Sequence, residues 1–171
     1  DYGPCAFMDV YHSNTVFSSI DLNGRYSYMN QPTIMQWNLL RFAEALLPLI
    51  HTNTEGGIKI VKDVFEDLNQ AFNEAWLNMM RKKIGFFGKE KEDGILVADL
   101  LNWMEKNRAD FTNTFVLLSK KNSLKNELFK DDSFLKWHQR WLNRLQKNKK
   151  KLDSSFELMN NTNPLIIPRN H

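Results

Sequence analysis

The sequence predicts an all-α fold with an irregular N-terminal segment, and three observations carry that expectation. Beyond residue 31, apolar residues recur at alternating spacings of three and four. Aspartates stand just before several of these stretches, where helix caps are needed. The only strand candidate is a short piece around Gly24 to Tyr28.

The elements follow in order. Residues 1–31 mix Asp, Ser, Asn and Gly with aromatics and show no helical period, and Asp21-Leu22-Asn23-Gly24 is rich in turn residues. Phe7, Tyr11, Val16, Phe17, Ile20, Tyr26 and Tyr28 are too apolar to leave in water, so this stretch is expected to be an ordered loop region. A helical region is expected over 32–171. Its first helix should start near Pro32 and end before Pro48. Its apolar surface is broken mainly by Gln36, Arg41 and Glu44, so burial is expected. A second, amphipathic helix should run from about Ile58 to Lys83, with Ile58, Val61, Phe65, Leu68, Phe72, Trp76 and Met79 inward, until Gly85 stops it. Asp93 should cap a third helix, Ile95 to Lys106, and Asp110 a fourth reaching about Lys120. A short helix from Ser123 to Phe129 and a longer one from Ser133 to about Asn148 complete the pattern.

Composition limits the function classes. With 171 residues, 42% hydrophobic and 25% charged, the chain can remove roughly 70% of its unfolded surface from water. The stretch Phe42 to Ile50, broken by Glu44 and Pro48, is too short for a membrane span. A net charge of +3 gives no argument for nucleic acid. One cysteine, Cys5, excludes an internal disulfide framework and a Cys-rich zinc site, and a reducing compartment is expected. The chain opens on Asp1-Tyr2-Gly3-Pro4 without methionine and stops at Pro168-Arg169-Asn170-His171, so it reads as a piece of a longer protein.

Most candidate chemistry yields to a simpler explanation. His12, His51, His138 and His171 are scattered without the spacing that places two ligands on one helix face. Cys5 reads as a small apolar side chain. Lys147-Asn148-Lys149-Lys150-Lys151 reads as a solvated helix end whose cations oppose the dipole. Trp37, Trp76, Trp103, Trp137 and Trp141 lie on helical stripes and are expected in the core.

Asp1-Tyr2-Gly3 is different. A D-[FY]-G tripeptide before an aromatic, irregular segment and helices is similar to the protein-kinase site whose aspartate holds Mg²⁺ on nucleotide phosphates. Together with Phe7-Met8-Asp9, Val16 to Asp21, Gly24-Arg25-Tyr26, Asn30-Gln31-Pro32, Trp37-Asn38-Leu39, Leu46 to Leu49, Asp110 to Phe115, Asn163-Pro164 and Pro168 to His171, it resembles the selenoprotein O family from end to end. Gly24 to Leu39 is the most specific stretch.

The resemblance implies the helical C-terminal-lobe part of a protein-kinase-like fold. It also implies a parent that is a protein adenylyltransferase, a pseudokinase that transfers AMP from ATP to Ser, Thr or Tyr of proteins. Asp1 would be the Mg²⁺ ligand and a contact to ATP, with the remaining machinery upstream, so no catalytic residue is expected in this chain and the chain alone should be inactive. Residues 1–31 would be the metal loop and an activation-segment-like region. The implied partners are ATP and protein substrates, without nucleic acid or membrane, and an exposed apolar N-terminal segment should favour self-association. The implied location is a bacterial cytoplasm, with a mitochondrion as the alternative. His12 departs from a common acidic residue of the family and Val116 from a frequent basic one. The rival from another class is a non-catalytic helical protein-interaction module.

Overall fold

The structure is a computed structural model that describes residues 7–120, 122–148 and 150–167. Among these the elements are α1 (Gln31–Ile50), α2 (Thr54–Lys83), α3 (Asp93–Lys106), α4 (Phe111–Leu118), α5 (Asp132–Gln146) and α6 (Leu152–Thr162), with short 3₁₀ turns at Tyr28–Asn30, Ser123–Lys125 and Glu127–Lys130. No sheet is present among the described residues, where the only strand-like pairing is an isolated antiparallel bridge between Val10 and Asp110. The fold is all-α with an irregular N-terminal segment, in keeping with a kinase-like helical lobe. It divides into two compact units, Ser13–Trp76 and a second made of the N-terminal stretch to His12 with Leu77 onward.

In the unit of residues 13–76 the strand candidate becomes a turn. The Asp21 carboxylate accepts the backbone N–H groups of Arg25 and Tyr26, both at 2.8 Å, so these donors serve a side chain and not a ladder. Gly24 takes the left-handed φ of +63° that the bend requires. Helix α1 has Pro32 in its first turn as expected, but it continues through Pro48 to Ile50. A proline so near the end forfeits one backbone bond while the last turn still closes, His51 N–H donating to Leu47. The expected burial of α1 is not found: none of its residues is buried, and Phe42 is 60% exposed. The unit holds only α1, the first part of α2 and turns, which cannot enclose so wide an apolar surface. Trp37, expected in a core, is instead half exposed beneath the Arg25 and Arg41 guanidiniums, 4.5 and 5.5 Å from its ring.

The other unit holds a close-packed core. Phe134 lies at its centre, stacked on Phe129 at 4.2 Å and tilted against Trp103 at 4.6 Å and Trp137 at 5.4 Å. Each buried indole N–H has an acceptor: Trp103 donates to Asp131, Trp137 to the Leu96 carbonyl and Trp141 to the Ile84 carbonyl. Asp110 caps α4 as expected, accepting from Asn113 N–H at 2.7 Å. Asp131 caps α5 by accepting from Phe134 N–H. The single short helix expected from Ser123 to Phe129 is two 3₁₀ turns. Asn126, extended at ψ 134°, ends the first and caps the second through Leu128 N–H.

Three other expectations are corrected here. Asp93 does not cap α3; it is the first helical residue, fully buried, after Glu92 at the N-cap. Helix α6 follows the lysine run, where no helix was expected, because Leu152, Phe156 and Met159 form only a brief stripe among Ser and Asn. The run itself is not simply a solvated end. Asn148 is buried, donating to the Gly85 carbonyl and Ser155 Oγ, and Lys150 sits 4.6 Å over the Phe87 ring. Gly85, at φ +79°, allows this approach: a Cβ there would lie 3.0 Å from the Ser155 carbonyl and from Met159 Sδ.

Candidate functional site

Asp1, the one metal and nucleotide residue implied by the sequence, lies outside the described residues, as do Tyr2, Gly3 and Cys5. The structure does describe how the chain just after the tripeptide is held. Tyr11 N–H donates to the Ala109 carbonyl at 2.8 Å, and Phe111 N–H donates to the Asp9 carbonyl at 2.7 Å. This two-bond clasp ties residues 9–11 to the start of α4, where Arg108 turns the chain through an unusual φ of +52°. Met8 and Tyr11 are buried, and Tyr11 stacks on Phe111 at 5.7 Å, which meets Phe115 edge-on at 5.2 Å. The clasp and the aromatic stack thus hold the segment after the D-Y-G as part of the core.

Two buried charged centres stand out among the described residues of this unit. The Asp93 carboxylate receives Arg81 Nε at 2.6 Å, Arg144 Nε at 2.6 Å and the Glu90 N–H at 2.9 Å. Burial pushes this carboxyl up, but the hydrogen bonds from Arg144, Glu90 and Arg81 outweigh it and hold the group below the usual carboxylate range. Arg144 also lies 4.5 Å over the Phe86 ring, so one anion and two cations join α2, α3 and α5. Lys83 is the second group. Its ammonium lies 4.4 Å from the Phe115 ring centre and 5.5 Å from that of Phe111. Burial pushes it down to about 8.

The consequence for stability has a definite sign. Between about 8 and 10.5 the unfolded chain retains a proton that folded Lys83 has released, so this residue makes stability rise with pH across that window. Lys83→Met keeps the length of the side chain over the two rings and removes the desolvated charge. It is expected to stabilise the protein by about 1–2 kcal/mol near neutral pH and to flatten the rise. Urea unfolding near pH 7 and pH 9.5 would detect both, and an unchanged pH slope would contradict the assignment.

A family model described as "Protein adenylyltransferase SelO" matches residues 1–171. The chain belongs to the SelO family. The relatives agree: proteins named "Protein nucleotidyltransferase YdiU" from Pelagibacter ubique, Nitrosococcus oceani and Bacillus cytotoxicus are 50%, 51% and 48% identical over 171 residues. The match covers 100% of this chain and 35% of each of these relatives, so the chain spans about a third of their length.

The two residues expected to depart from the family, His12 and Val116, each fit their local surroundings. His12 Nε2 is 3.6 Å from Glu105 Oε1 at the surface, where an acidic residue would face a like charge. Val116 is buried in α4, where a basic side chain would have to be desolvated. Among the described residues no group of three His, Cys, Asp or Glu side chains is placed to hold a metal ion, and no helix is long and apolar enough to cross a membrane. Sequence reasoning missed Arg81, Arg144 and Lys83 as a set. Arg81 and Lys83 looked like ordinary basic residues closing α2, and only the packing shows that they are buried.

Proposed function

We propose that this chain is the C-terminal helical part of a SelO-type protein adenylyltransferase whose full-length form transfers AMP from ATP to Ser, Thr or Tyr hydroxyls of proteins. The observation that carries this is the family match over every residue of a chain that spans about a third of its relatives. Asp1 is proposed to supply a hard carboxylate oxygen to Mg²⁺ and to contact ATP through it. One carboxylate cannot complete a six-ligand shell, so nucleotide oxygens and residues outside these 171 would supply the rest. Residues 1–31 are proposed as the metal loop and activation-segment-like region, and 32–171 as the helical part that supports it. The clasp between residues 9–11 and α4 supports this division of labour, because it fixes the chain eight residues beyond Asp1 to a rigid core. Protein substrates, a bacterial cytoplasmic location and self-association through apolar surface belong to the same proposal.

The test uses the full-length protein. Asp1→Ala is expected to lower AMP incorporation from labelled ATP by about 10²-fold or more and to weaken Mg²⁺-dependent ATP binding, with unchanged thermal unfolding. The 171-residue chain alone is expected to transfer no AMP. Undiminished transfer by the variant would remove Asp1 from the metal site, and transfer by the isolated chain would place the active site within it.

A further inference from the structure

Helix α1 carries a line of large apolar side chains that its own unit does not cover. Met35, Leu39, Phe42, Leu46 and Leu49 recur at spacings of four, three, four and three, which sets them along one side of the helix. In a folded protein such a line faces a core. Here none of the five is buried, and Leu39, Phe42 and Leu49 are 38%, 60% and 83% exposed. The approach of α2 to α1 is on a different side, where a Cβ on Gly57 would lie 3.1 Å from Leu47 Cδ2.

The line is also free of charge. Arg41 and Glu44, which stand between its members in sequence, pair with each other at 2.6 Å and lie off it. An apolar strip without charge is the make-up of a permanently covered interface, resembling a core cut in half. Left bare on a whole protein, it would invite aggregation. The length of the relatives points to the cover. The match takes in 35% of each, so nearly two-thirds of each polypeptide lies outside it. A segment joined covalently to this chain meets the face at an effective concentration on the order of millimolar, which a free second copy does not match.

We propose that the apolar line of α1 seats the part of the full-length protein that precedes Asp1, an uncharged apolar segment of which packs along Met35, Leu39, Phe42, Leu46 and Leu49. The proposal rests on the reading of this chain as the C-terminal part of a longer SelO protein, and it does not depend on AMP transfer. It also gives the self-association proposed for the chain a cause: without the upstream part, the same face is left bare.

The experiment uses full-length protein carrying the photo-cross-linker benzoylphenylalanine in place of Phe42, irradiated as an equal mixture of ordinary and ¹⁵N-labelled chains and mapped by mass spectrometry. Cross-links from position 42 to residues preceding Asp1, within one chain, are expected. Hydroxyl-radical footprinting of the unsubstituted protein gives an independent reading. Relative to urea-unfolded protein, oxidation of Phe42 should fall about tenfold when it is covered, and by less than about twofold if it stays 60% exposed. Phe42→Glu/Leu49→Glu should lower the thermal midpoint of the full-length protein. Cross-links between light and heavy chains would give the face to a second copy, and cross-links to residues after 76 would give it to a later part of the chain. Oxidation at the twofold level would leave it bare. Each of these three results overturns the proposal. AMP transfer measured on the same sample tests the enzyme reading separately, because a protected Phe42 in a protein without transfer would sink that reading and leave this one standing.

Discussion

Asp93→Ala is expected to destabilise the second unit by about 3–5 kcal/mol. The carboxylate is fully buried and is the shared acceptor for Arg81 and Arg144, themselves 8% and 4% exposed. Removing it leaves two guanidiniums in a poorly hydrated interior, so the loss exceeds that of any one hydrogen bond. The pH dependence follows from the direction of the shift. Because the folded carboxyl lies below 3.8, its contribution is complete above that value and is lost as pH falls through the lower folded one. Urea unfolding monitored by tryptophan fluorescence should therefore show a large difference between wild type and variant near pH 7 that narrows toward pH 3. Asp93→Leu/Arg81→Met/Arg144→Met, which removes all three charges, should recover much of the loss. A single variant as stable as wild type would mean that the two arginines find water or another anion.

Phe134→Ala should cost a similar amount, about 3–5 kcal/mol, for a reason without charge in it. Phe134 is fully buried and contacts Phe129, Trp103, Trp137 and His138 within 6 Å between ring centres. Two of these four rings are anchored, Trp103 and Trp137 being fixed by hydrogen bonds to Asp131 and Leu96, so the surround cannot collapse fully into the vacated space. Phe134→Leu should recover more than half of the stability, as measured by the shift in urea midpoint. Equal losses for the two variants would show that ring stacking, and not filled volume, sets the energy.

Much of the helical order was legible because it rests on local rules. Pro32 in a first turn, Asp110 as a cap and Gly85 beyond α2 act within a few residues of themselves, so sequence alone places them. What escaped prediction depends on partners far along the chain. Asp93 looks like a cap until Arg144, fifty-one residues away, takes its oxygen. Asn148 looks solvated until Gly85 and Ser155 claim its amide. Helix α6 has little stripe of its own, and Met159 is buried because it meets Gly85. α1 failed in the opposite direction: its apolar pattern expresses a surface that needs covering, and the unit it belongs to does not supply the cover. Of the candidate site, residue type and family resemblance pointed to Asp1, while the clasp behind it required coordinates.

That clasp also sets an order of assembly. Tyr11 bonds to Ala109 about a hundred residues further on, and residues 13–76 form a separate unit in between. During synthesis the segment carrying Tyr11 emerges early but has no acceptor until α3 is complete and the chain has turned at Arg108. Closing so long a loop costs entropy that only a preformed surface can offset. The stretch next to the proposed metal residue therefore cannot lock into place before α3 and the turn after it have formed. A nascent chain can present the residue proposed to bind metal long before it can hold the segment behind it, since the acceptors for that segment come only with the helices that follow.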